Sequence, residues 1–533
     1  MPRYRTAAIS LLAVPLVAGG FLLQSRSERD SARLFDQVLT LGSNRFVDTV
    51  DAAGLYEKAA RGLVHELNDP YTVLFTPKEL QAFTTTTGGR YAGVGMQIED
   101  IKGQITVNKV FPNTPAEQAG VAEGDRIMFV DTASTKGWKI DQVSNALKGP
   151  PGTKVNVRFS RPGVSEPIAV RFTRAVIHIP AVPFATMVDG KIGYIPVQQF
   201  NETATEELAN ALRRLQREGA KGVVLDLRSN PGGILDQAFA MSNLFLSEGE
   251  EILSVRGRNN DVQTYVAKER PSAPTVPLVV LTDGNSASAA EIVAGALQDH
   301  DRALIVGTTS FGKGLVQTLF PLDGGYALKM TTAKWYTPSG RSIQKERKVV
   351  DGRFVNEDAP DSLETDSVRR ARPAFKSDAG RVVYGGGGIT PDIIVQPDTI
   401  STVEQQVAKS LAPKAQEVYA ALANYAVDIK PTVTSPNFTV QPAWREEFYR
   451  RMRTSGVTID KQQYDSAAPY IDRLIENRVA RLAFGDSIAT KRGFRDDAQL
   501  QKALEVLRRG QTQKDLFVIA QREHAVLPPR APR

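Results

Sequence analysis

The sequence predicts a multidomain α/β protein. A β-rich module is inserted between an N-terminal helical segment and an α/β core with a largely parallel sheet, and a helical C-terminal region follows. Three observations predict this. Strand and helix patterns alternate from Gly193 to Thr309, and two of the strands, Gly222-Val-Val-Leu-Asp226 and Val276–Thr282, are apolar runs that read as buried. Residues 87–175 instead combine glycine-rich turns with alternating strands and a short helix. Apolar residues at helical spacing flank both parts, at Leu34, Val38 and Leu41, at Leu55, Ala59, Leu63 and Leu67, and in Trp444–Met452, Pro469–Ala483 and Ala498–Arg508. A chain of 533 residues has room for about three such domains.

Residues 1–26 read as an export signal. Arg3 and Arg5 precede the uncharged stretch Ala7–Leu23, and polar SRSERD follows. That stretch falls between a signal core and a short membrane span, so a cleaved signal and a retained membrane anchor both stay open. Either way the chain is expected outside the cytoplasm, in the periplasm or cell envelope. Residues 27–86 are the helical segment, broken at Asp69-Pro70-Tyr71 and restarting at Thr76-Pro77.

Residues 87–175 carry the turn Tyr91-Ala-Gly93-Val94-Gly95-Met96-Gln-Ile98 and a strand Ile105–Val110. The run Asn113-Thr-Pro115-Ala116-Glu-Gln-Ala119-Gly120-Val121, then Gly124-Asp125-Arg126-Ile127 and a helix Ile140–Leu147 follow. This pattern resembles a PDZ domain. The resemblance implies a site for a peptide C-terminus, in which Gly93, Val94, Gly95 and Met96 present backbone N–H groups to the terminal carboxylate and the peptide adds a strand. Gly93 and Gly95 suit a loop whose backbone must approach a ligand closely.

Residues 176–400 form the core. After a strand at Gly193-Tyr194-Ile195 and a helix over Thr205–Glu218 comes Gly222–Arg228, then Ser229-Asn230-Pro231-Gly232-Gly233. Two glycines after a proline leave backbone N–H groups able to face a developing oxyanion, with Gly232 and Gly233 both open as the donor and Ala289 as its partner. The stretch Leu281–Gln317 holds the chemistry. Ser288-Ala-Ala-Glu291 is a capping box at a strand-to-helix turn, which puts the Ser288 hydroxyl where free N–H groups favour negative charge. Lys313 stands between two glycines. A Ser–Lys pair supplies nucleophile and base without histidine, provided the lysine pKa falls by roughly 3 units, or about 4 kcal/mol, through desolvation. In an extended strand Gln317 shares a side with Lys313 and can hold the amine without adding charge. The chain has only four histidines, and His300, the nearest, reads as a helix C-terminal charge.

Ser288-Ala-Ala-Glu291, Phe311-Gly-Lys313-Gly, Gln317 and the run Asp226-Leu-Arg228-Ser-Asn230-Pro-Gly232-Gly233 together resemble the carboxyl-terminal processing (tail-specific) peptidase family. The resemblance extends to Lys329–Gln344 and to Gly388-Ile-Thr-Pro391-Asp392. It implies a serine endopeptidase with catalytic Ser288, Lys313 and Gln317, needing no metal or organic cofactor. It also implies a PDZ domain that gates the site, with Lys148 as the basic residue after the PDZ helix. The match breaks over residues 345–384, a polar, charged surface insertion. Residues 401–533 match no motif and read as helices for packing or self-association, with a proline-marked linker near 430–442.

Composition excludes several classes. Net charge +7 without a dense Lys/Arg run or aromatic motif argues against nucleic acid. Zero cysteines remove disulfides, thiol nucleophiles and thiolate metal sites. Gly307-Thr-Thr-Ser-Phe-Gly312-Lys313 fails as a P-loop because Gly314 replaces the Mg²⁺-binding hydroxyl, and His65-Glu66-Leu-Asn-Asp69 lacks the second histidine of a zinc-protease helix. The expected partners are proteins or peptides with apolar C-termini, with self-association or an activating partner left open. The competing reading is a PDZ tail-binding scaffold with an inactive peptidase domain.

Overall fold

The computed structural model describes residues 32–161, 164–259, 261–350, 353–355, 371–397 and 401–526. The export segment 1–26 lies outside the described residues. Among these no helix is long and apolar enough to cross a membrane. The chain divides into two compact units: the described residues up to Leu80 with Gln317–Thr331 and Lys348–Val355, and all the rest.

In the smaller unit, Asp51 caps the helix Ala52–Glu66 by accepting from the N–H groups of Ala53 and Gly54. Arg61 on that helix bonds Glu57 and Glu79, both at 2.9 Å. The segment is not all helical, because Val73–Phe75 forms a strand antiparallel to Ala327–Lys329.

The larger unit holds the core sheet. Its strands run in the order Thr186–Val188, Ile192–Pro196, Gly222–Asp226, Leu278–Thr282, Leu304–Gly307, Ile393–Ile394, and every pairing after the first is parallel. Alternate side chains serve opposite faces. Ile195, Val223, Leu225, Val280 and Ile305 meet the helices Ala204–Arg217, Leu235–Asn243 and Ala289–Asp299. Ile192, Tyr194, Val224, Val279, Leu281 and Val306 meet helices Ala498–Arg509 and Gln513–Val526. The C-terminal region is therefore not one unit outside the core. Its last two helices cover the second face of the core sheet, while those from Thr402 to Phe484 enclose a separate core around Phe448, Tyr464, Ile471 and Ile475.

The β-rich module is a five-strand antiparallel path, Met96–Ile101, Gln104–Val110, Arg126–Val130, Lys154–Ser160, Ile168–Thr173, with a short strand Ala133–Ser134 beside the third. Met96–Ile101 is the edge strand of that path, and helix Ile140–Leu147 packs over its core. Strands Arg90–Gly93 and Ala175–His178 pair where the module enters and leaves the core. The described residues of the polar insertion include an ordered turn of chain on the core. Its hairpin Ala374–Lys376/Val382–Tyr384 presents Asp378 to His300 Nδ1 (2.8 Å) and Arg381 to Asp301 (2.5 Å) and Asp392.

Candidate active site

Three loops at the C-terminal ends of core strands converge: 227–234, 283–288 and 308–314. This is where parallel α/β sheets carry their ligands. The loops are stitched by backbone bonds, from Ala287 N–H to Asn230 O and from Phe311 N–H to Ser286 O, each 2.9 Å. Asp283 Oδ1 accepts from the N–H groups of Ser229 (2.9 Å) and Asn285 (3.0 Å), and the Ser286 hydroxyl donates to Leu227 O at 2.8 Å.

Ser288 stands at the N-cap of helix Ala289–Asp299 with φ 55° and ψ −115°. Positive φ is costly for a residue with a Cβ and persists only where its surroundings hold it. One holder is Gly232: a Cβ there would lie 2.7 Å from Ala287 O, 2.8 Å from Ser288 Cβ and 2.9 Å from Ala289 N. The other is Glu291. Its carboxylate, fully buried, accepts from Ser288 N–H (2.9 Å), Ser310 Oγ (2.5 Å), Gly312 N–H (2.6 Å) and Lys313 N–H (2.8 Å). Ser288 and Lys313 thus donate their N–H groups to the same oxygen, Oε2. Burial pushes the Glu291 carboxyl above the usual carboxylate range, against the pull of its four donors. In the sequence Glu291 is half of a capping box; its other three bonds come from residues 19 to 22 positions away.

The glycine pair is not symmetric. Gly232 N–H donates to the Asn230 side chain at 2.8 Å, and buried Asn230 in turn donates to Val197 O at 2.7 Å. Gly233 sits against Phe200, through bonds from Phe200 N–H to Gly232 O (2.9 Å) and from Ile234 N–H to Phe200 O (2.8 Å). Neither bond uses the Gly233 N–H. Ala289 N–H opens the helix and so has no partner within it.

Lys313 is half-buried, and its carbonyl accepts from Trp335 Nε1 at 3.1 Å. The extended-strand argument linking it to Gln317 is not met, because the strand begins at Leu315 and Lys313 lies in the loop before it. Gln317 belongs to the smaller unit, where its Nε2 donates to Thr331 Oγ1 at 3.3 Å. No helix follows Gly314, unlike in a P-loop.

In the β-rich module, Gly93, Val94, Met96, Ile98, Leu147 and Lys148 line a cavity of about 480 Å³ between the edge strand and helix Ile140–Leu147; its walls also include Gln198 and Gln199 of the core. Gly95, at φ 92°, admits no side chain, since a Cβ would lie 2.2 Å from Thr114 Cβ. Lys148 is the C-cap of helix Ile140–Leu147 and lies over the Tyr91 ring, while Arg174 donates to the helix carbonyls Leu147 O (3.0 Å) and Ala146 O (2.8 Å).

The description of peptidase family S41 matches residues 191–351, and that of the PDZ domain matches residues 83–159. The chain is 40% identical over 316 residues to a carboxy-terminal-processing protease of Bartonella bacilliformis, covering 58% of this chain and 71% of that one. The chain belongs to the carboxy-terminal processing protease family. Carboxy-terminal processing protease CtpA of Bacillus subtilis is 36% identical over 301 residues, covering 56% of this chain and 64% of that one. Among solved structures, photosystem II D1 C-terminal processing protease matches at 28% identity and TM-score 0.37, over 70% of this chain and 89% of that one. The chain is accordingly a serine-type peptidase with a PDZ domain inserted before its peptidase core.

Proposed function

We propose that this chain is an exported endopeptidase that captures protein C-terminal tails in its PDZ cavity and cleaves them with a Ser288–Lys313 pair. The observation that carries this reading is the shared acceptor: one buried carboxylate oxygen takes the N–H groups of both residues. Lys313 Nζ takes the Ser288 proton as Oγ attacks the scissile carbonyl carbon. The N–H groups of Gly233 and Ala289 accept the charge that develops on the carbonyl oxygen, since Gly232 spends its own on Asn230. The ammonium then protonates the departing amine and leaves an acyl-enzyme. Lys313 next deprotonates a water that attacks the ester, releasing the acid and restoring Ser288. The part given to Gln317, holding the amine, rests on the family resemblance alone. The apolar stretch Ala7–Leu23 supports export to the periplasm or cell envelope.

The test is cleavage of a tagged protein ending in small apolar residues beside one ending in Asp-Asp, followed by mass spectrometry. Ser288→Ala and Lys313→Ala are each expected to lower kcat by on the order of a thousandfold or more. Full activity in Lys313→Ala would sink the Ser–Lys mechanism. Binding of the apolar tail without turnover by the intact chain would favour a scaffold instead.

A further inference from the structure

Lys313 is oriented by the chain on either side of it. Two planar peptide groups meet at its Cα, and their orientations fix the direction of the Cα–Cβ bond. Each plane is held at both of its polar ends. In the first, Lys313 N–H donates to Glu291 Oε2 at 2.8 Å, and Gly312 O accepts from Lys345 N–H at 3.0 Å. In the second, Lys313 O accepts from Trp335 Nε1 at 3.1 Å, and Gly314 N–H donates to Gln344 Oε1 at 2.8 Å. Glu291 thus serves the plane before Lys313, and Gln344 with Trp335 the plane after it.

These two side chains are themselves fixed. Trp335 is 1% exposed, and its backbone N–H donates to Gly314 O at 3.0 Å. Gln344 Nε2 donates to Lys345 O at 2.9 Å, which commits its oxygen to the Gly314 N–H. The strip carrying Gln344 is backed by the chain returning from the insertion, where Gly386 and Gly388 N–H donate to Ser342 O (2.7 Å) and Ile343 O (2.9 Å). Its approach to the lysine loop is close. A Cβ on Gly314 would lie 2.9 Å from Gln344 N and 3.1 Å from Gln344 Cβ.

We infer that Gln344 and Trp335 are positioning residues for Lys313: they fix the peptide plane that follows it, and with that plane the place of its amine. The inference rests on the reading of Lys313 as the base that activates Ser288. That reading needs an amine kept neutral by desolvation. A plane free to turn lets the amine swing toward water, where it regains its ordinary pKa and is protonated at neutral pH. Loss of either bond therefore acts on the base. Capture of a tail is untouched, because neither residue lines the PDZ cavity. Neither side chain carries a charge that would itself move the lysine's titration. The charged neighbours of the loop stay in place: Glu291, Lys345, and Arg347, which donates to Phe311 O.

The experiment follows labelling of Ser288 by a fluorophosphonate. The serine oxygen bonds to phosphorus, fluoride leaves and the base takes the hydroxyl proton, so no tail need bind. Rates are measured across pH for the full chain with Gln344→Met, Trp335→Phe or Lys313→Ala, beside anisotropy of a labelled peptide ending in small apolar residues. Methionine keeps the length of the side chain and removes the acceptor; phenylalanine keeps a ring and removes the donor. In Gln344→Met and in Trp335→Phe the rate at neutral pH is expected to fall about tenfold, as the acid limb moves up by about one pH unit and leaves tenfold less neutral amine. Peptide affinity is expected to stay unchanged. The midpoint of the limb does not depend on how much of the protein is folded, and its shift in either variant supports the inference. A midpoint unmoved in every variant that folds overturns the inference, even where the rate falls. Labelling of Lys313→Ala as fast as the unaltered chain overturns the Ser–Lys reading itself, and this inference with it.

Discussion

Glu291 is the residue on which the peptidase geometry turns, because its side chain joins the serine turn to the lysine loop. Its two oxygens receive three N–H groups and one hydroxyl. An amide in its place offers one acceptor oxygen and points an NH₂ at donors. Glu291→Gln is therefore expected to leave one or two buried donors unpaired, at about 1–3 kcal/mol each. The loop carrying Lys313 would no longer be tied to the Ser288 turn through this carboxylate, and kcat should fall by about tenfold to a thousandfold. KM for a tailed substrate should barely change, since the PDZ cavity does not include residue 291. Steady-state kinetics beside thermal unfolding separates the two effects, and an unaltered kcat would remove Glu291 from the catalytic geometry. The sequence shows Ser288, Lys313 and the glycines by motif, and it shows Glu291 as a helix cap. It does not show the other three bonds, since these depend on strands Leu278–Thr282 and Leu304–Gly307 lying side by side. The sequence does not show that Gly232 N–H is bonded to the Asn230 side chain, the observation on which the proposal of Gly233 as oxyanion donor rests.

At the scale of elements, the parallel sheet needs cover on both faces, and the chain supplies the second cover from its far end. Leu500, Ala503, Leu504 and Leu507 of helix Ala498–Arg509 pack on Val224, Val279 and Leu281. Asp497, the N-cap of that helix, bonds Arg228 Nη2 at 2.7 Å, and Arg228 also bonds Asp226 at the end of the neighbouring strand. The ion pair ties the helix to the loop that carries Gly232 and Gly233. Leu504→Ala is expected to cost about 2–5 kcal/mol of core stability, measured by denaturant unfolding. Removal of residues 486–533 should leave the core aggregated and inactive. A soluble, active truncated enzyme would show that these helices are an accessory. Four of the five parallel strands were legible in the sequence, the short Ile393–Ile394 was not, and the amphipathic helices were legible as helices. Which face each helix covers was not legible, because periodicity reveals an apolar stripe but not its partner, here some 270 residues away.

Across the larger unit, the PDZ domain is bound to the helices between Thr402 and Gly493 as well as to the core. Arg478 bonds Glu99 at 2.9 Å, Arg126 bonds Asn424 at 2.8 Å, Ile101 packs with Ala420 and Ala423, and Lys109, which lines the tail cavity, pairs with Asp486. Glu123 lies in this contact. Burial, reinforced by Asp486, pushes its carboxyl up to about 7, with Lys430, Lys109 and Arg478 opposing. The docked state therefore holds a proton that the free carboxyl would lose near its ordinary value of about 4.3. The stability this proton contributes is fully present below that value and is lost as pH rises through about 7, where a charged Glu123 must face Asp486. Docking of the PDZ domain on the helices is thus expected to loosen as pH rises from about 4 to about 7, with no further loss above that. Hydrogen exchange, corrected for its intrinsic pH dependence, should show protection falling together in strand Gln104–Val110 and helix Ala415–Ile429. Glu123→Gln keeps the neutral shape and should abolish the change while retaining the protection seen at the lower pH. The same loss in Glu123→Gln would show that Glu123 is not its source. Because Lys109 belongs to both the contact and the tail cavity, a loosened contact should also alter tail affinity over the same pH range, and parallel curves for the two measurements would tie docking to capture.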